Sequence, residues 1–435
     1  MSASSFAFSP LDGYYSSMYR RLILRKLDAA LGDSRVVLLN GARQTGKSTL
    51  ARQVTAQRGG QYLTLDDPGI LSLARSDPAA LVRGTGGLVV IDEVQLAPAL
   101  FSAIKRVVDV DPSPGRFLLT GSANVFLLPR LSESLAGRIE ILPLSPLAQL
   151  ELSSAGPVSG QEGENWIDAL FSARPWQAAT LPLDRLAICR QVIAGGFPEA
   201  VARKPGERRD AWFRGYVTSI LQRDVRDLAN IDGLTELPRL LGLLAARAGA
   251  LMNIAELSRT TGLPHTTLRR YLALLEATFI LQPLPAWSGN STKRFVKSPK
   301  LHLLDTGLTA HLRGDTDANV LALSHNLGPM LESFAVQEVR KLLASSPTAA
   351  TPYHFRSAAG KEVDLVLEKP GQIVAGIEVK ASARLAPGDF SGLRTLAEAA
   401  GDKFARGVVL YLGEQRLQFA ENLWAEPIGA LWNAV

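Results

Sequence analysis

The chain has 435 residues, of which 46% are hydrophobic and 20% are charged, and its formal net charge is +6 at pH 7. This length predicts two to four domains with large apolar cores, and the mildly basic charge permits nucleic-acid binding without arguing strongly for it. A single cysteine, Cys189, excludes an internal disulfide framework and a cysteine zinc site, and because neither a signal-peptide pattern nor an apolar run near the ~20 residues of a membrane helix is found, we expect a cytoplasmic protein without membrane contact.

The first predicted element is a basic amphipathic helix within residues 14–32. From Tyr19 to Leu27 the sequence is YRRLILRKL, in which basic and apolar residues are interspersed. Such a helix could contact nucleic acid, although a solvated basic face is the commoner explanation.

A strand, a glycine-rich turn and a helix come next. The apolar run at residues 36–39 leads into GARQTGKST at residues 41–49, a pattern typical of a phosphate-binding loop unless it matches by accident. The glycines let backbone N–H groups point inward, and the positive end of the following helix adds to their field. We expect Lys47 to bind the β- and γ-phosphates and Ser48 to hold Mg²⁺.

The strand Leu88–Glu93 is an apolar run that ends in two carboxylates. A buried parallel strand has this pattern when its carboxyl end opens on an active site. We expect Asp92 to hold Mg²⁺ and Glu93 to polarise the attacking water. Alternatively, both acids merely cap the following turn.

Another strand, Arg116–Ser122, ends in hydroxyl residues. Thr120 or Ser122 could contact the γ-phosphate or the water, or could be ordinary turn formers. With a strand at Gln61–Asp67 and helices between the strands, the pattern predicts a mostly parallel sheet with helices on both faces. The predicted nucleotide-binding residues are Gly41, Gln44, Thr45, Gly46, Lys47, Ser48, Thr49, Thr120 and Ser122.

Residues 36–145 resemble an AAA-type ATPase. More narrowly, GARQTGKST, VVIDEVQ and LLTGSAN together resemble a family of predicted bacterial and archaeal ATPases, in which an AAA domain precedes an uncharacterised region with a restriction-endonuclease-like end. The resemblance extends to GGFPE at residues 195–199 and to residues 215–380. It implies ATP binding and hydrolysis but no settled biological role. ATP is favoured over guanine nucleotides because no Asn-Lys-x-Asp base-reading motif is found.

An arginine before residue 139 is a candidate for a finger that completes a neighbouring protomer's site. In systems where such a finger has been dissected, it contributes about 10³–10⁵ in rate. Arg138 is the preferred candidate and Arg130 the rival, and either would imply a homo-oligomer. Alternatively, Arg138 is a surface residue paired with Glu133 or Glu140.

The middle of the chain is predicted to be a linker followed by helices. Ser153–Glu164 is rich in Ser and Gly, which indicates a linker or surface loop, and the pattern from Leu186 to Arg247 is helical. The charged patch Arg223–Asp227 either couples the ATPase to the later domains or forms an intrahelical ion-pair surface.

Residues 254–281 predict a helix-turn-helix. Gly262 separates two short helices, and Pro264 suits the first position of the second one. The residues expected on the exposed face of the second helix are His265, Thr266, Thr267, Arg269 and Arg270, and those of the following hairpin are Lys293, Arg294, Lys297 and Lys300. The whole resembles a winged helix, which in some proteins binds DNA and in others only holds domains together.

The last part of the chain carries a second group of charged residues. A helix at Leu327–Leu343 has Glu332 on its apolar face, where a lone carboxylate needs a partner or a metal. Asp364 on one strand and Glu378-x-Lys380 on the next, in an α-β-β-β-α-β order, resemble the restriction-endonuclease-like superfamily. The resemblance implies that Asp364, Glu378 and Glu332 hold Mg²⁺ and that Lys380 activates water.

The strands of this region are joined by a predicted turn at Pro370-Gly371. Pairing back from it sets Asp364 opposite Ile377 or Glu378. Alternatively, these residues are the charged face of an exposed hairpin with ordinary cross-strand pairs, or the fold survives without its chemistry.

Together these patterns predict an α/β protein with a P-loop AAA-type parallel-sheet domain, a helical and winged-helix middle, and a restriction-endonuclease-like αβββαβ domain. The predicted domains are residues 1–150, 151–240, 241–318 and 319–435. The favoured function is Mg²⁺-dependent ATP hydrolysis that drives action on DNA, with a possible Mg²⁺-dependent endonuclease. The alternative is an ATP-controlled switch that binds a protein partner and uses an inert nuclease-like module as a scaffold.

Overall fold

The computed structural model describes residues 19–83, 86–122, 135–153, 165–172, 183–221, 236–289, 294 and 297–432. The chain divides into two compact units, one of Met1–Ser145 with Ala277–Phe279 and the other of Pro146–Glu276 with Ile280–Val435. The domain boundaries predicted at residues 240 and 318 both fall within the second unit. No helix in the described ranges is both long and apolar enough to cross a membrane.

The first unit contains a five-stranded parallel sheet in the order β2-β3-β4-β1-β5. The strands are β1 (Val36–Asn40), β2 (Gln61–Thr64), β3 (Val89–Asp92), β4 (Phe117–Gly121) and β5 (Ile139–Pro143). The helices are α1 (Leu24–Asp33), α2 (Lys47–Arg58), α3 (Pro68–Ser76), α4 (Pro78–Val82) and α5 (Ala99–Val110).

Helices cover both faces of this sheet. Val36 and Leu38 of β1 belong to a core that includes α5, while Val37 and Leu39 belong to a second core that includes α1 and α2. Alternate residues of a strand point to opposite faces, so a strand that is buried on both sides has to be apolar throughout. The predicted parallel sheet with helices on both faces is confirmed.

The second unit begins with helices. They are α6 (Gln149–Leu152), α7 (Trp166–Leu170), α8 (Arg185–Ala194), α9 (Pro198–Ala202), α10 (Glu207–Ser219), α11 (Leu237–Ala246), α12 (Ile254–Thr261), α13 (His265–Ala277), α14 (Thr306–Arg313), α15 (Ala318–Leu323) and α16 (Leu327–Ser345). Cys189 is buried on α8. The charged patch at residues 223–227 and most of the predicted linker at 153–164 lie outside the described residues.

A turn of two glycines joins α8 and α9. A side chain on Gly196 would overlap the carbonyl oxygen of Leu147, and one on Gly195, where φ is 65°, would overlap the carboxylate of Asp305. Asp305 accepts a hydrogen bond from the Gly196 amide at 2.7 Å and also caps α14 through the Leu308 amide. The GGFPE motif therefore has a structural reason, which is a close approach of distant parts of the second unit.

The helices α12 and α13 meet at Gly262, whose φ of 74° ends α12 in a left-handed cap. Leu257 on α12 packs inward, as do Leu268 and Leu275 on α13. Isolated β-bridges then pair Leu251 with Lys300, Leu284 with Lys300 and Leu281 with Leu303. The two helices around a glycine turn are present as predicted.

The rest of the second unit is built on a mixed sheet in the order β10-β11-β9-β8-β7-β6. Its strands are β6 (Thr351–Arg356), β7 (Glu362–Lys369), β8 (Ile373–Lys380), β9 (Phe404–Tyr411), β10 (Leu417–Ala420) and β11 (Leu423–Pro427), and the helix α17 (Ser391–Ala400) lies between β8 and β9 in the chain. In the antiparallel pair of β7 and β8, Leu365 faces Ile377. This register brings Asp364 beside Glu378, which is one of the two predicted pairings.

Candidate nucleotide site and carboxylate cluster

The loop between β1 and α2 follows a path that only glycine permits at two points. A side chain on Gly41 would overlap the carbonyl oxygen of Leu144. Gly46 has a φ of 95°, in the left-handed region that favours glycine. The two glycines therefore allow the tight turn before α2 that a phosphate-binding loop requires.

The side chain of Lys47 lies inside this loop. Its buried ammonium donates to the carbonyl oxygens of Gly41 at 2.9 Å and Ala42 at 2.8 Å. Thr45 is also buried and donates to Ala42 at 3.0 Å, which holds the loop's curve. The cation is thus placed at the carboxyl end of β1, where an anionic ligand would compete with two neutral carbonyls for it. The other predicted loop residues are Gln44, which is exposed, and Ser48 and Thr49, which are half-buried in the first turn of α2.

Arg21, which we predicted as part of a basic helix face, is instead a buried support of the phosphate loop. The helix α1 begins at Leu24, and Arg21 precedes it. The guanidinium donates to the carbonyl oxygens of Thr45 at 2.6 Å and Ser145 at 2.7 Å. This residue is therefore turned inward, and neither a solvated face nor contact with nucleic acid describes it.

Asp92 lies at the carboxyl end of β3 and is buried. Its Oδ2 accepts a hydrogen bond from the Tyr62 hydroxyl at 2.6 Å, and its Oδ1 accepts one from the Thr120 hydroxyl. Burial, together with the Asp92 charge, raises the pKa of the Tyr62 phenol above its usual range. Both donors are neutral, so they orient the carboxylate without neutralising its charge, which is compatible with the predicted role of Asp92 as a Mg²⁺ ligand.

Glu93 has a φ of 58°, which is uncommon for a residue other than glycine. Its amide donates to the Thr120 hydroxyl at 3.0 Å. Its carboxylate accepts a hydrogen bond from the side-chain amide of Gln95, which also donates to Ser122 at 2.8 Å. Gln95 therefore joins the predicted catalytic acid to the predicted sensor residue Ser122, just after β4, and was not itself among the predicted site residues. The spacing Glu-x-Gln was the available signal, but it is too short to be specific.

Arg138 comes immediately before β5 and forms an ion pair with Asp109 at the end of α5. Its Nη1 also donates to the Ala136 carbonyl at 3.1 Å. Of the two glutamates that we predicted as partners, Glu140 accepts instead from Ser34, and Glu133 lies outside the described residues. The strands β1 and β5 are parallel, and Arg138 precedes β5. Arg138 therefore lies at the amino-terminal ends of the strands, whereas the phosphate loop of its own chain lies at their carboxyl ends. The rival, Arg130, lies outside the described residues.

In the second unit, α13 presents a polar surface. The exposed side chains near its start and along one side are those of His265, Thr266, Arg269 and Arg270, while Thr267 is half-buried. The predicted hairpin does not add the expected basic surface. Arg294 is engaged by both carboxylate oxygens of Glu368, at 2.8 and 2.7 Å, and Lys300 is buried. Lys297 is exposed and Lys293 lies outside the described residues.

Lys300 joins two of the carboxylates that we predicted as metal ligands. Its ammonium donates to Glu332 on α16 at 2.6 Å and to Asp364 on β7 at 2.9 Å. Burial would lower the pKa of Lys300, but Asp364 and Glu332 together raise it above the usual value. The partner that the lone Glu332 required is thus a lysine that the sequence analysis had assigned to a wing.

Glu378 and Lys380 share one face of β8, as predicted, and are joined by an ion pair of 2.8 Å. Burial and the nearby Asp364 charge raise the pKa of Glu378 and of Glu332 above their usual range. Among the side chains that the structure describes, no group of three or more His, Cys, Asp and Glu residues is placed to hold a metal ion. The cluster is therefore a set of lysine–carboxylate pairs, and the metal roles of Glu332, Asp364 and Glu378 stay predictions from resemblance.

The whole chain has relatives among curated mycobacterial proteins. The uncharacterized protein Rv2008c of Mycobacterium tuberculosis is 32% identical over 410 residues, which cover 94% of this chain and 83% of that protein. The chain belongs to the Rv2008c family. The uncharacterized protein Mb2031c of Mycobacterium bovis matches with the same identity and coverage, and an uncharacterized protein of Haemophilus influenzae is 24% identical over 238 residues, which cover 53% of each chain.

Family models divide this member of the Rv2008c family into three matched regions. Residues 33–153 match the AAA domain, and residues 186–319 and 327–431 match two domains of unknown function, DUF8612 and DUF4143. The AAA match covers the phosphate loop and β1 to β5, so the first unit is an AAA domain of the P-loop type, which supports ATP binding and hydrolysis. The other two matches assign no activity.

Two solved structures are examples of distant likeness to this chain. The RuvB Holliday junction branch migration motor of Thermotoga maritima is 19% identical over 60% of this chain and 88% of that chain, with a TM-score of 0.27. A signal transduction ATPase with numerous domains from Pyrococcus horikoshii is 13% identical over 76% of this chain and 47% of that chain, with a TM-score of 0.22. At these TM-scores neither likeness carries an argument.

Proposed function

We propose that the AAA domain binds ATP with Mg²⁺ and hydrolyses it at the carboxyl edge of β1, β4 and β3. The observation that carries this proposal is the placement of two residues on either side of β4. Lys47 follows the loop after β1, and the buried Asp92 ends β3, where Thr120 of β4 bonds it. Motif residues that lie far apart in the sequence therefore come from adjacent strand ends, as a phosphate and metal site requires.

Each residue has a role in this proposal. The loop amides and Lys47 bind the phosphates, and Ser48 and Asp92 hold Mg²⁺, which when bound compensates the negative charge of the phosphate oxygens. Glu93 orients the attacking water and accepts its proton. Thr120 fixes the Asp92 carboxylate, and Gln95, which also bonds Ser122, restrains Glu93 before the water is bound.

The test is ATP turnover by the purified full chain in Mg²⁺. We expect turnover that is lost in Lys47→Ala, and retained in Lys105→Ala, which removes a lysine from the outer helix α5. Glu93→Gln should bind ATP and fail to turn it over. If turnover survives in Lys47→Ala, it does not come from the proposed site, and the proposal fails.

Hydrolysis in this proposal drives an action on DNA through α13. The exposed side chains of His265, Thr266, Arg269 and Arg270 support it, since arginines and hydroxyls are common contacts to phosphates and base edges. The order of α11, α12 and α13 followed by paired segments around Lys300 is also what a winged helix has. In the described residues, α13 carries two exposed arginines, whereas the predicted wing contributes one exposed lysine, Lys297.

A second candidate is an ATP-controlled switch that binds a protein partner through an inert nuclease-like module. The ion pairs of Lys300 with Glu332 and Asp364 favour it, because they occupy the carboxylates that cleavage would require. Turnover with single-stranded, duplex and branched DNA separates the two candidates. Stimulation that is lost in Arg269→Glu/Arg270→Glu, and kept in the matched Lys204→Glu/Arg208→Glu, supports DNA, whereas indifference to every DNA supports the switch.

A further inference from the structure

We propose that Lys300 takes the place of a divalent metal ion in the carboxylate cluster of the second unit, so that the cluster binds no Mg²⁺. The restriction-endonuclease-like resemblance implies a metal held by Glu332, Asp364 and Glu378. The residues around these carboxylates do not fit that metal. This role of Lys300 is separate from ATP hydrolysis and does not depend on it.

The ammonium of Lys300 occupies the position between the first two carboxylates. It lies 2.6 Å from an oxygen of Glu332 and 2.9 Å from an oxygen of Asp364, and its side chain is 4% exposed. A buried ammonium needs such partners because burial penalises an unpaired charge. A metal ion at the same point would have to displace it into an apolar interior or out of the protein.

The backbone also holds Lys300 in place. Lys300 forms β-bridges with both Leu251 and Leu284, and its backbone amide donates to the Leu284 carbonyl at 2.9 Å. Gly249, close to this segment, has a φ of 85°, and a side chain on it would come within 3.3 Å of the Glu332 carboxylate. The lysine therefore projects from a paired segment into a confined space rather than from a loop.

Other oxygens of the cluster also have partners. Asp364 uses its Oδ2 to accept from the Val379 amide at 3.0 Å, and Glu378 pairs with Lys380 at 2.8 Å. One oxygen of Glu378, Oε2, is buried without a hydrogen-bond partner in the described structure. Mg²⁺ is usually held by one or two carboxylates together with waters, and here each of the three carboxylates already has a lysine as its partner.

The three carboxylates thus stabilise the packing of elements within the second unit and do not take part in phosphodiester cleavage. Lys300 belongs to the segment paired with residues around α12 and α13, Glu332 belongs to α16, and Asp364 belongs to β7. The ammonium joins all three elements. In this arrangement the second unit holds its helix-turn-helix segment to its sheet by an internal cation.

The test counts bound Mn²⁺, used as a paramagnetic substitute for Mg²⁺, on the full chain without nucleotide. We expect wild type and Asp364→Asn to bind the same number of ions, because the cluster contributes none. We also expect Lys300→Met to gain one ion, which the double variant Lys300→Met/Asp364→Asn loses. Any metal at the AAA site is common to all four proteins and cancels in the comparison.

Two outcomes would overturn the proposal. One is a Mn²⁺ ion that wild type binds and Asp364→Asn does not. The other is a folded Lys300→Met, as judged by its circular dichroism, that gains no ion. If Lys300→Met does not fold, the comparison of wild type with Asp364→Asn decides alone, and Lys300→Arg, which keeps the charge, should fold and match wild type.

Discussion

The Tyr62 hydroxyl donates a hydrogen bond of 2.6 Å to Oδ2 of Asp92, across two neighbouring parallel strands. The Thr120 hydroxyl binds the other oxygen. Asp92 is thus fixed from both sides by hydroxyls before any ligand arrives, and Tyr62 is a positioning residue for the proposed nucleotide site.

Removing the Tyr62 hydroxyl should raise the Mg²⁺ concentration that ATP turnover requires, without unfolding the AAA domain. In Tyr62→Phe the ring still packs while one oxygen of Asp92 loses its donor, so we expect turnover to fall about tenfold at limiting Mg²⁺, near the value of one hydrogen bond to a charged group. Turnover measured as a function of Mg²⁺ checks this. Excess Mg²⁺ should restore part of the loss, and a profile identical to wild type would remove Tyr62 from the site.

The Gln95 side chain restrains Glu93. The hydrogen bond from Gln95 holds the Glu93 carboxylate in one direction, toward Ser122, and it has to break before the carboxylate can turn to the water. We therefore expect Gln95→Ala to raise basal ATP turnover several-fold while the affinity for ATP stays the same. Single-turnover kinetics together with an ATP-binding measurement check this. A fall in turnover would instead show that Gln95 holds Glu93 in its productive position.

Arg138 lies at the opposite end of the strands from its own phosphate loop, so the proposed finger role would require the site of a neighbouring protomer. We expect Arg138→Ala to retain ATP binding and to lose about 10³-fold or more in turnover. The control is Asp109→Ala, which frees the arginine from its present ion pair and should keep turnover. Unchanged turnover in Arg138→Ala would exclude the finger role.

His354 should make the second unit sensitive to acid. Burial, with a smaller contribution from Lys300, lowers its pKa to about 4, and its Nε2 is within hydrogen-bond distance of the Ser298 carbonyl at 3.1 Å. In the unfolded chain the pKa is about 6.5. Folding therefore favours the neutral form of His354. The resulting contribution to the free energy of unfolding, about 3 kcal/mol in all, is present above pH 6.5 and is lost progressively as the pH falls toward 4.

The comparison variant for this prediction is His354→Gln, whose amide can still donate to Ser298. Urea unfolding at pH 7 and at pH 4.5 should show a larger loss for wild type than for the variant, since every other titrating group is common to both. Equal losses in the two proteins would mean that His354 does not carry the effect.

The first unit was predictable because its signals are local. The apolar run before the phosphate loop and the run that ends in Asp92 each specify a strand and its neighbouring turn within about ten residues. The same holds for the two helices around Gly262. The side chains that complete the sites were not predictable in this way.

Those side chains find partners far along the chain. Arg21 binds the carbonyl oxygen of Ser145, 124 residues away, and Lys300 binds Asp364, 64 residues away. Nothing in the sequence around a basic residue tells whether it points to solvent or into a core, because that choice is made by tertiary packing. Arg294 and Lys300 were misassigned to an exposed wing for this reason.

The double-glycine turn at residues 195 and 196 affects when the second unit can fold during synthesis. The amide of Gly196 has its buried acceptor on Asp305, which lies 109 residues further along the sequence. A ribosome therefore has to add all of those residues before the turn can close. Until then the first helices of the second unit lack the carboxylate that fixes their connection, so we expect this unit to gain its native structure late in synthesis, well after the AAA domain has emerged.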